Sequence, residues 1–198
     1  MLRGYRVLGV DGVPERLTRA QLNGVEVFDA SHFGDELGDA VRSVTDGRGP
    51  DSVIDAVGME AHGSPAASAA HKLTALMPSA LSERLMLKAG VDRLAALHMA
   101  IELVRRGGTI SVIGVYGGMT DPLPMMKLFD KQIAIRMGQA NVRRWVDDIL
   151  PMLGDDDPLG VETFATHHVP LSEASAAYKM FQEKRDGAVK VVFRPGQG

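Results

Sequence analysis

Arg6-Val7-Leu8-Gly9-Val10-Asp11 is a short apolar run closed by a carboxylate, and the segment after it opens on Pro14. An extended run that ends on an acid and turns into a helix reads as the second strand of a dinucleotide-binding sheet. There the carboxylate accepts hydrogen bonds from ribose hydroxyls. In that arrangement the Gly-rich phosphate turn lies about 20 residues upstream of the acid. Ten residues precede Asp11 and cannot hold it, so this reading places Met1 inside the domain, after its first strand.

Working outward, strand-like stretches follow at 25–29, 51–57, 109–115 and 132–137, and weaker ones at 162–169 and 188–193, with the first at 6–11. Ser52-Val53-Ile54 and Ile110-Ser111-Val112-Ile113 are continuous runs of the kind expected in a parallel sheet covered on both faces. Helix signals fall between them. Pro14 suits a first turn and Asn23-Gly24 a stop. Leu94, Leu97, His98, Ile101 and Val104 recur at helical spacing until Gly107-Gly108. Ala174, Ala177, Tyr178 and Phe181 repeat that spacing, with Ser172 as expected N-cap and Gly187 as expected stop. Asp46-Gly47-Arg48-Gly49-Pro50-Asp51 is turn chemistry leading into a strand. The stretch 60–90 breaks the rhythm with Pro65 and Pro78, and short helices are expected around 67–76 and 80–89. Strand–helix alternation predicts right-handed βαβ units, an α/β fold.

The bulk numbers exclude several classes. The chain has 198 residues, 45% hydrophobic and 24% charged, with a net charge of -3. Those values suit a globular domain with its own core and give no reason to expect a nucleic acid or acidic membrane as partner. No apolar stretch approaches the roughly 18 residues of a membrane helix, and Met1-Leu2-Arg3-Gly4-Tyr5 lacks the apolar core of a signal peptide. A cytoplasmic location is expected. The absence of cysteine removes disulfides, thiolate zinc sites and a cysteine nucleophile together.

Further stretches sharpen the reading: Thr45-Asp46-Gly47-Arg48-Gly49-Pro50-Asp51, Val53-Ile54-Asp55-Ala56-Val57-Gly58-Met59-Glu60, Gly107-Gly108-Thr109-Ile110, Gly114-Val115-Tyr116-Gly117-Gly118 and Asp186-Gly187-Ala188-Val189-Lys190-Val191-Val192. In order, and with residues 6–11, they resemble the zinc-dependent medium-chain alcohol dehydrogenases across nearly the whole chain. The likeness is strongest to bacterial members similar to glutathione-independent formaldehyde dehydrogenases.

The resemblance implies roles for particular residues. Asp11 would hold the adenosine ribose and favour NAD over NADP, since a 2'-phosphate would meet like charge. Arg16 matches a basic position near the same ribose. Val57 and Gly58 would border the adenosine. Gly114, Val115 and Tyr116 would pass under the nicotinamide side, with Arg136 and Met137 nearby, and Lys190 would reach the pyrophosphate. Strand 132–137 would pair with its copy in a second subunit, which implies a homodimer. The family holds its zinc through cysteine and histidine ligands in a catalytic domain with no counterpart here. The resemblance therefore implies an incomplete Rossmann domain, a doubly wound parallel sheet without its first strand and Gly-rich turn, over residues 1–137. Residues 138–198 would form a C-terminal α/β tail packed on the catalytic domain. Without the central strand, strands 6–11 and 51–57 would each present an unpaired edge.

Other readings weigh against some of these. Asp11 also suits a helix cap, and Arg16 and Lys190 suit solvated cations. His167 and His168 are adjacent on a strand and so point to opposite faces, a poor pair for one metal ion. His98 lies on an apolar helical stripe and reads as a core histidine; His62 and His71 carry no supporting pattern. Met119, Met125 and Met126 read as core gap-fillers ahead of pocket walls. Gly114-Val115-Tyr116-Gly117-Gly118 lacks the spacing of a phosphate turn. A methyltransferase with an acid at the same strand end is a distant competitor. The function expected is the NAD-binding portion of a zinc-dependent alcohol or aldehyde oxidoreductase, with no catalytic or metal-binding residue of its own. Its alternatives are a weak adenine-nucleotide-binding module and one half of a split dehydrogenase completed by a separate catalytic chain.

Overall fold

Among the described residues seven strands form where seven are expected, each four residues long and each beginning at most five residues after the start of its apolar run. The computed structural model describes residues 2–57, 94–116 and 123–196. In chain order these contain β1 (Leu8–Asp11), α1 (Pro14–Leu22), β2 (Glu26–Asp29), α2 (Ala30–Phe33), α3 (Leu37–Ser43) and β3 (Ser52–Asp55). Next come α4 (Ala95–Leu103), β4 (Thr109–Val112), α5 (Met125–Lys131), β5 (Ala134–Met137), α6 (Val142–Ile149), β6 (His167–Pro170), α7 (Ala174–Gln182) and β7 (Val191–Arg194). Gly58, Met119 and the helices expected at 67–76 and 80–89 fall outside the described residues.

All strand pairs are parallel. The sheets have the orders β1-β2, β3-β4-β5 and β6-β7. The orders β2-β1 and β3-β4-β5 are those found on either side of the first strand in a doubly wound sheet. Among the described residues β1 pairs with β2 alone, and β3 with β4 alone. The fold is thus α/β and corresponds to part of a Rossmann-like domain.

The chain divides into two compact units, Asp35–Ala140 and Met1–Gly34 with Asn141–Gly198. In the first, α4 lays its apolar stripe on the three-stranded sheet. Leu94, Leu97, Ala100, Ile101 and Val104 join Ile110, Val112 and Leu128 in one buried cluster, with Val53 and Ile135 packed against it. The helical spacing legible in the sequence therefore makes this core. Two glycines let the chain close around it. Gly49 has φ +87°, and a Cβ there would lie 2.2 Å from the Leu103 carbonyl oxygen. A Cβ on Gly108 would lie 2.5 Å from Val104 Cγ2. Neither position has room for a side chain.

In the second unit α1 packs beside β1 and β2. Arg19 donates to the Thr163 carbonyl and stacks on Phe164 at 5.5 Å, which ties α1 to the C-terminal segment. Tyr178 of α7 stacks on Phe193 of β7 at 5.9 Å. Burial is sparse here: Leu17, Phe28, Ala177 and Ala188 are the buried apolar residues described.

Several expectations are corrected. β3 is not covered on both faces among the described residues, because Ile54 is 68% exposed. Ser172 lies inside a 3-10 turn, Leu171–Glu173, and caps nothing; the helix proper begins at Ala174 and ends at Gln182, five residues short of Gly187. Met125 and Met126 are exposed on α5, whose buried residue is Leu128, so they do not fill core gaps. His98 is half-buried on α4.

Candidate functional site

Parallel strands in register bring their last residues to one edge. In one unit that edge is Asp11 beside Asp29. Asp11 Oδ1 accepts the backbone N–H groups of Gly12 at 2.8 Å and Val13 at 2.9 Å, which bends the chain from β1 into α1. Its Oδ2 lies 3.6 Å from Arg16 Nη1, with the two side chains 34% and 38% exposed. One oxygen is therefore spent on the turn, as the capping reading expects, while the other faces a cation and solvent. A carboxylate oxygen flanked by a guanidinium can accept from a diol hydroxyl. Asp29 instead caps α2, accepting from Ser31 N at 2.8 Å and Ser31 Oγ at 2.5 Å, and the Ser31 hydroxyl holds its carboxyl below the ordinary value.

Lys184, Gly187, Ala188 and Val189 line a shallow groove against Val13, Glu15 and Arg16 at the start of α1. Lys190 follows directly. Its carbonyl accepts from Thr166 N at 2.9 Å and Thr166 Oγ1 at 3.0 Å, which fixes its backbone at the β6–β7 sheet while the residue stays exposed. Among the described residues no hydrogen bond or ion pair joins Lys190 to Asp11 or Arg16.

In the other unit the carboxyl edge aligns Asp55, Val112 and Met137. Asp55 is the buried charged residue of the described chain, at 3% exposure. Tyr116 donates its hydroxyl to Asp55 Oδ2 at 2.5 Å, and Val57 N–H donates to Oδ1 at 3.0 Å. The Asp55 carbonyl accepts from Ile113 N at 2.9 Å and Gly114 N at 3.0 Å. Burial, then the Asp55 hydrogen bond and charge, push the Tyr116 phenol well above its ordinary value. These bonds draw Val57, Gly114 and Tyr116 to one place. Val115 and Met137 are exposed beside them, and Arg136 is exposed on β5. The sequence reading passed over Asp55. Its signal was present, since an acid closes Ser52-Val53-Ile54-Asp55 just as one closes residues 6–11.

No family model matches the chain. It is 35% identical over 193 residues to an uncharacterized zinc-type alcohol dehydrogenase-like protein of Bacillus subtilis, covering 96% of this chain and 46% of that protein. An alcohol dehydrogenase from Thermus sp. ATN1 superposes with a TM-score of 0.69 at 29% identity, over 96% of this chain and 44% of its own. Its homologues are zinc-type alcohol dehydrogenases. The chain matches the C-terminal half of that family and spans less than half the length of these relatives. An NAD-dependent alcohol dehydrogenase, 21% identical with a TM-score of 0.66 over 98% of this chain and 45% of its own, shares the fold.

Among the described residues no side-chain set fits the zinc of such dehydrogenases. The chain has no cysteine, and among the described residues no three His, Asp or Glu side chains converge. His167 and His168 sit on β6, one half-buried beside Thr166 and one exposed. Among the described residues no helix is long and apolar enough to cross a membrane.

Proposed function

We propose that this chain forms the NAD(H)-binding side of a zinc-dependent alcohol or aldehyde oxidoreductase and runs no hydride transfer by itself. The observation that carries this reading is the Asp11 carboxylate. It ends a parallel strand, keeps one oxygen beside Arg16 at 3.6 Å, and belongs to a chain whose homologues are zinc-type dehydrogenases. Asp11 accepts from the ribose diol, Arg16 flanks it, and Val57 with Gly58 borders the adenosine. Gly114, Val115, Tyr116, Arg136 and Met137 face the nicotinamide side, and Lys190 offsets pyrophosphate charge. The chain has no cysteine and, among the described residues, no converging ligand set, so in this reading zinc activation of the alcohol falls to residues other than those described. The formaldehyde-dehydrogenase-like branch belongs to this proposal, as does a cytoplasmic location.

Calorimetric titration of the purified, monodisperse chain with NADH tests the reading, with Asp11→Ala alongside. Weak saturable binding lost in the variant is the expected result. Absence of heat from a folded sample would sink it.

Completion by a separate catalytic chain is the second reading. It is favoured by Trp145, Val146, Ile149, Leu150 and Leu153, an exposed apolar set on and just after α6. Homodimerisation through 132–137 is favoured by β5, which pairs with β4 alone among the described residues. Sedimentation of the chain alone separates dimer from monomer.

A further inference from the structure

The opposite end of the three-stranded sheet carries chemistry that nucleotide binding leaves unused. Nucleotides occupy the carboxyl ends of such strands, the edge of Asp55, Val112 and Met137. At the amino ends, where Ser52, Thr109 and Ala134 align, each segment leading into the sheet delivers cations: Arg42 and Arg48 before β3, Arg106 before β4, Lys127 and Lys131 before β5. These five line a cleft of about 340 Å³ with Glu102, Asp130, Leu103 and Val104. The lining holds these five cations and two carboxylates, and Asp39 and Asp51 pair with Arg42 and Arg48 from the sides, so a small excess of positive charge remains in a chain whose net charge is -3.

The cations are held in place by carboxylates at the sides. Arg106 forks onto Asp130 at 2.8 and 2.9 Å. Arg42 reaches Asp39 at 2.7 Å and Glu102 at 3.7 Å, Arg48 reaches Asp51 at 3.1 Å, and Lys127 pairs with Glu102. Lys131 Nζ donates to the Ile101 and Glu102 carbonyls at 2.7 and 3.0 Å, which leaves one ammonium hydrogen for another acceptor. The crowding has an electrostatic mark. Burial, and then repulsion from Lys127, Arg42 and Arg106 against attraction to Glu102, weaken the Lys131 ammonium. The Lys127 hydrogen bond holds Glu102 ionised.

We propose that the cleft of Arg42, Arg48, Arg106, Lys127 and Lys131 at the amino ends of β3, β4 and β5 binds a small, multiply charged phosphate, with pyrophosphate as the simplest member. A multivalent anion relieves the mutual repulsion of the cations, and guanidinium forks match phosphate oxygens. The volume suits a phosphorylated small molecule. The site lies at the end of the strands away from the nucleotide edge and goes beyond the function proposed above.

Titration of the full chain with pyrophosphate by calorimetry tests this, at low salt and again with excess NADH, with orthophosphate as a parallel arm. Arg48→Gln with Lys127→Gln removes two cations, and Glu102→Gln removes the competing carboxylate; melting by circular dichroism checks that both variants fold. Saturable pyrophosphate binding is expected, unchanged by NADH and in Asp11→Ala. It should weaken by about tenfold or more in the double variant and tighten in Glu102→Gln. Weaker saturable orthophosphate binding supports recognition of a multivalent ligand, and an orthophosphate affinity equal to that for pyrophosphate overturns it. Absence of saturable heat, displacement by NADH, loss in Asp11→Ala, or equal affinity in all variants overturns the site. Failure of NADH to bind while pyrophosphate binds would overturn only the nucleotide reading.

Discussion

β1 and β3 are built alike and end differently. Each is a four-residue parallel strand closed by an aspartate. At β1 the carboxylate is about one-third exposed, shared between a backbone turn and Arg16. At β3 it is buried under Tyr116, a residue 61 positions away in the chain. The surrounding units differ in the same sense. Asp35–Ala140 holds the large apolar cluster under a three-stranded sheet, whereas the other unit is built on two-stranded sheets with few buried residues. A two-stranded sheet offers little surface to bury. The same local pattern therefore yields a solvent-facing carboxylate in one place and a buried hydrogen-bond acceptor in the other.

The sharpest way to break this contrast is to hollow each unit. Ile101 is 1% exposed, and Ile101→Ala should cost about 2–5 kcal/mol through lost burial and a cavity. Ile149→Ala, on the exposed stripe of α6, should cost less than about 1 kcal/mol. Urea unfolding of both variants reads the difference, and equal losses would show that α6 is packed as tightly as α4.

The two aspartates come next. Asp55→Ala leaves the Tyr116 hydroxyl and the Val57 N–H without their acceptor, at a cost of about 1–3 kcal/mol. Asp11→Ala removes a partly exposed turn acceptor, a loss of about 1 kcal/mol. The same unfolding curves decide the order. A small effect at Asp11 also keeps that variant usable in the NADH titration.

The smallest effect is a pH dependence at the buried pair. The folded phenol of Tyr116 titrates above its unfolded value of 10.0. Its contribution is thus fully present below about pH 10 and fades as pH rises above it. Thermal melts between neutral pH and the alkaline limb should show a decline in the parent that is shallower in Tyr116→Phe. Identical slopes would place the phenol in solvent.

The regular parts of the chain were legible because they rest on period and turn chemistry. Leu94, Leu97, Ile101 and Val104 announce a helix face by spacing alone, and Gly107-Gly108 announce its end. Pro14 and Asn23-Gly24 bracket α1 in the same way. The errors fall where packing decides. Ser172 has the chemistry of a cap but sits one residue before the cap position, in a 3-10 segment. Met125 and Met126 have the composition of core filler but face solvent, because α5 turns Leu128 inward. Of the candidate site, Asp11 and Arg16 were legible because they lie five residues apart, across the turn from β1 into α1. Asp55–Tyr116 and the cation cleft join residues far apart in sequence.

The sequence by itself determined a parallel α/β chain with acids at its strand ends and no thiol to hold zinc, since these follow from residue type and period. Tertiary structure alone decided which acid is buried and which faces solvent, and that cations from three separate connections meet in one cleft. Burial and electrostatic potential depend on distance in space, and a linear pattern does not contain that distance.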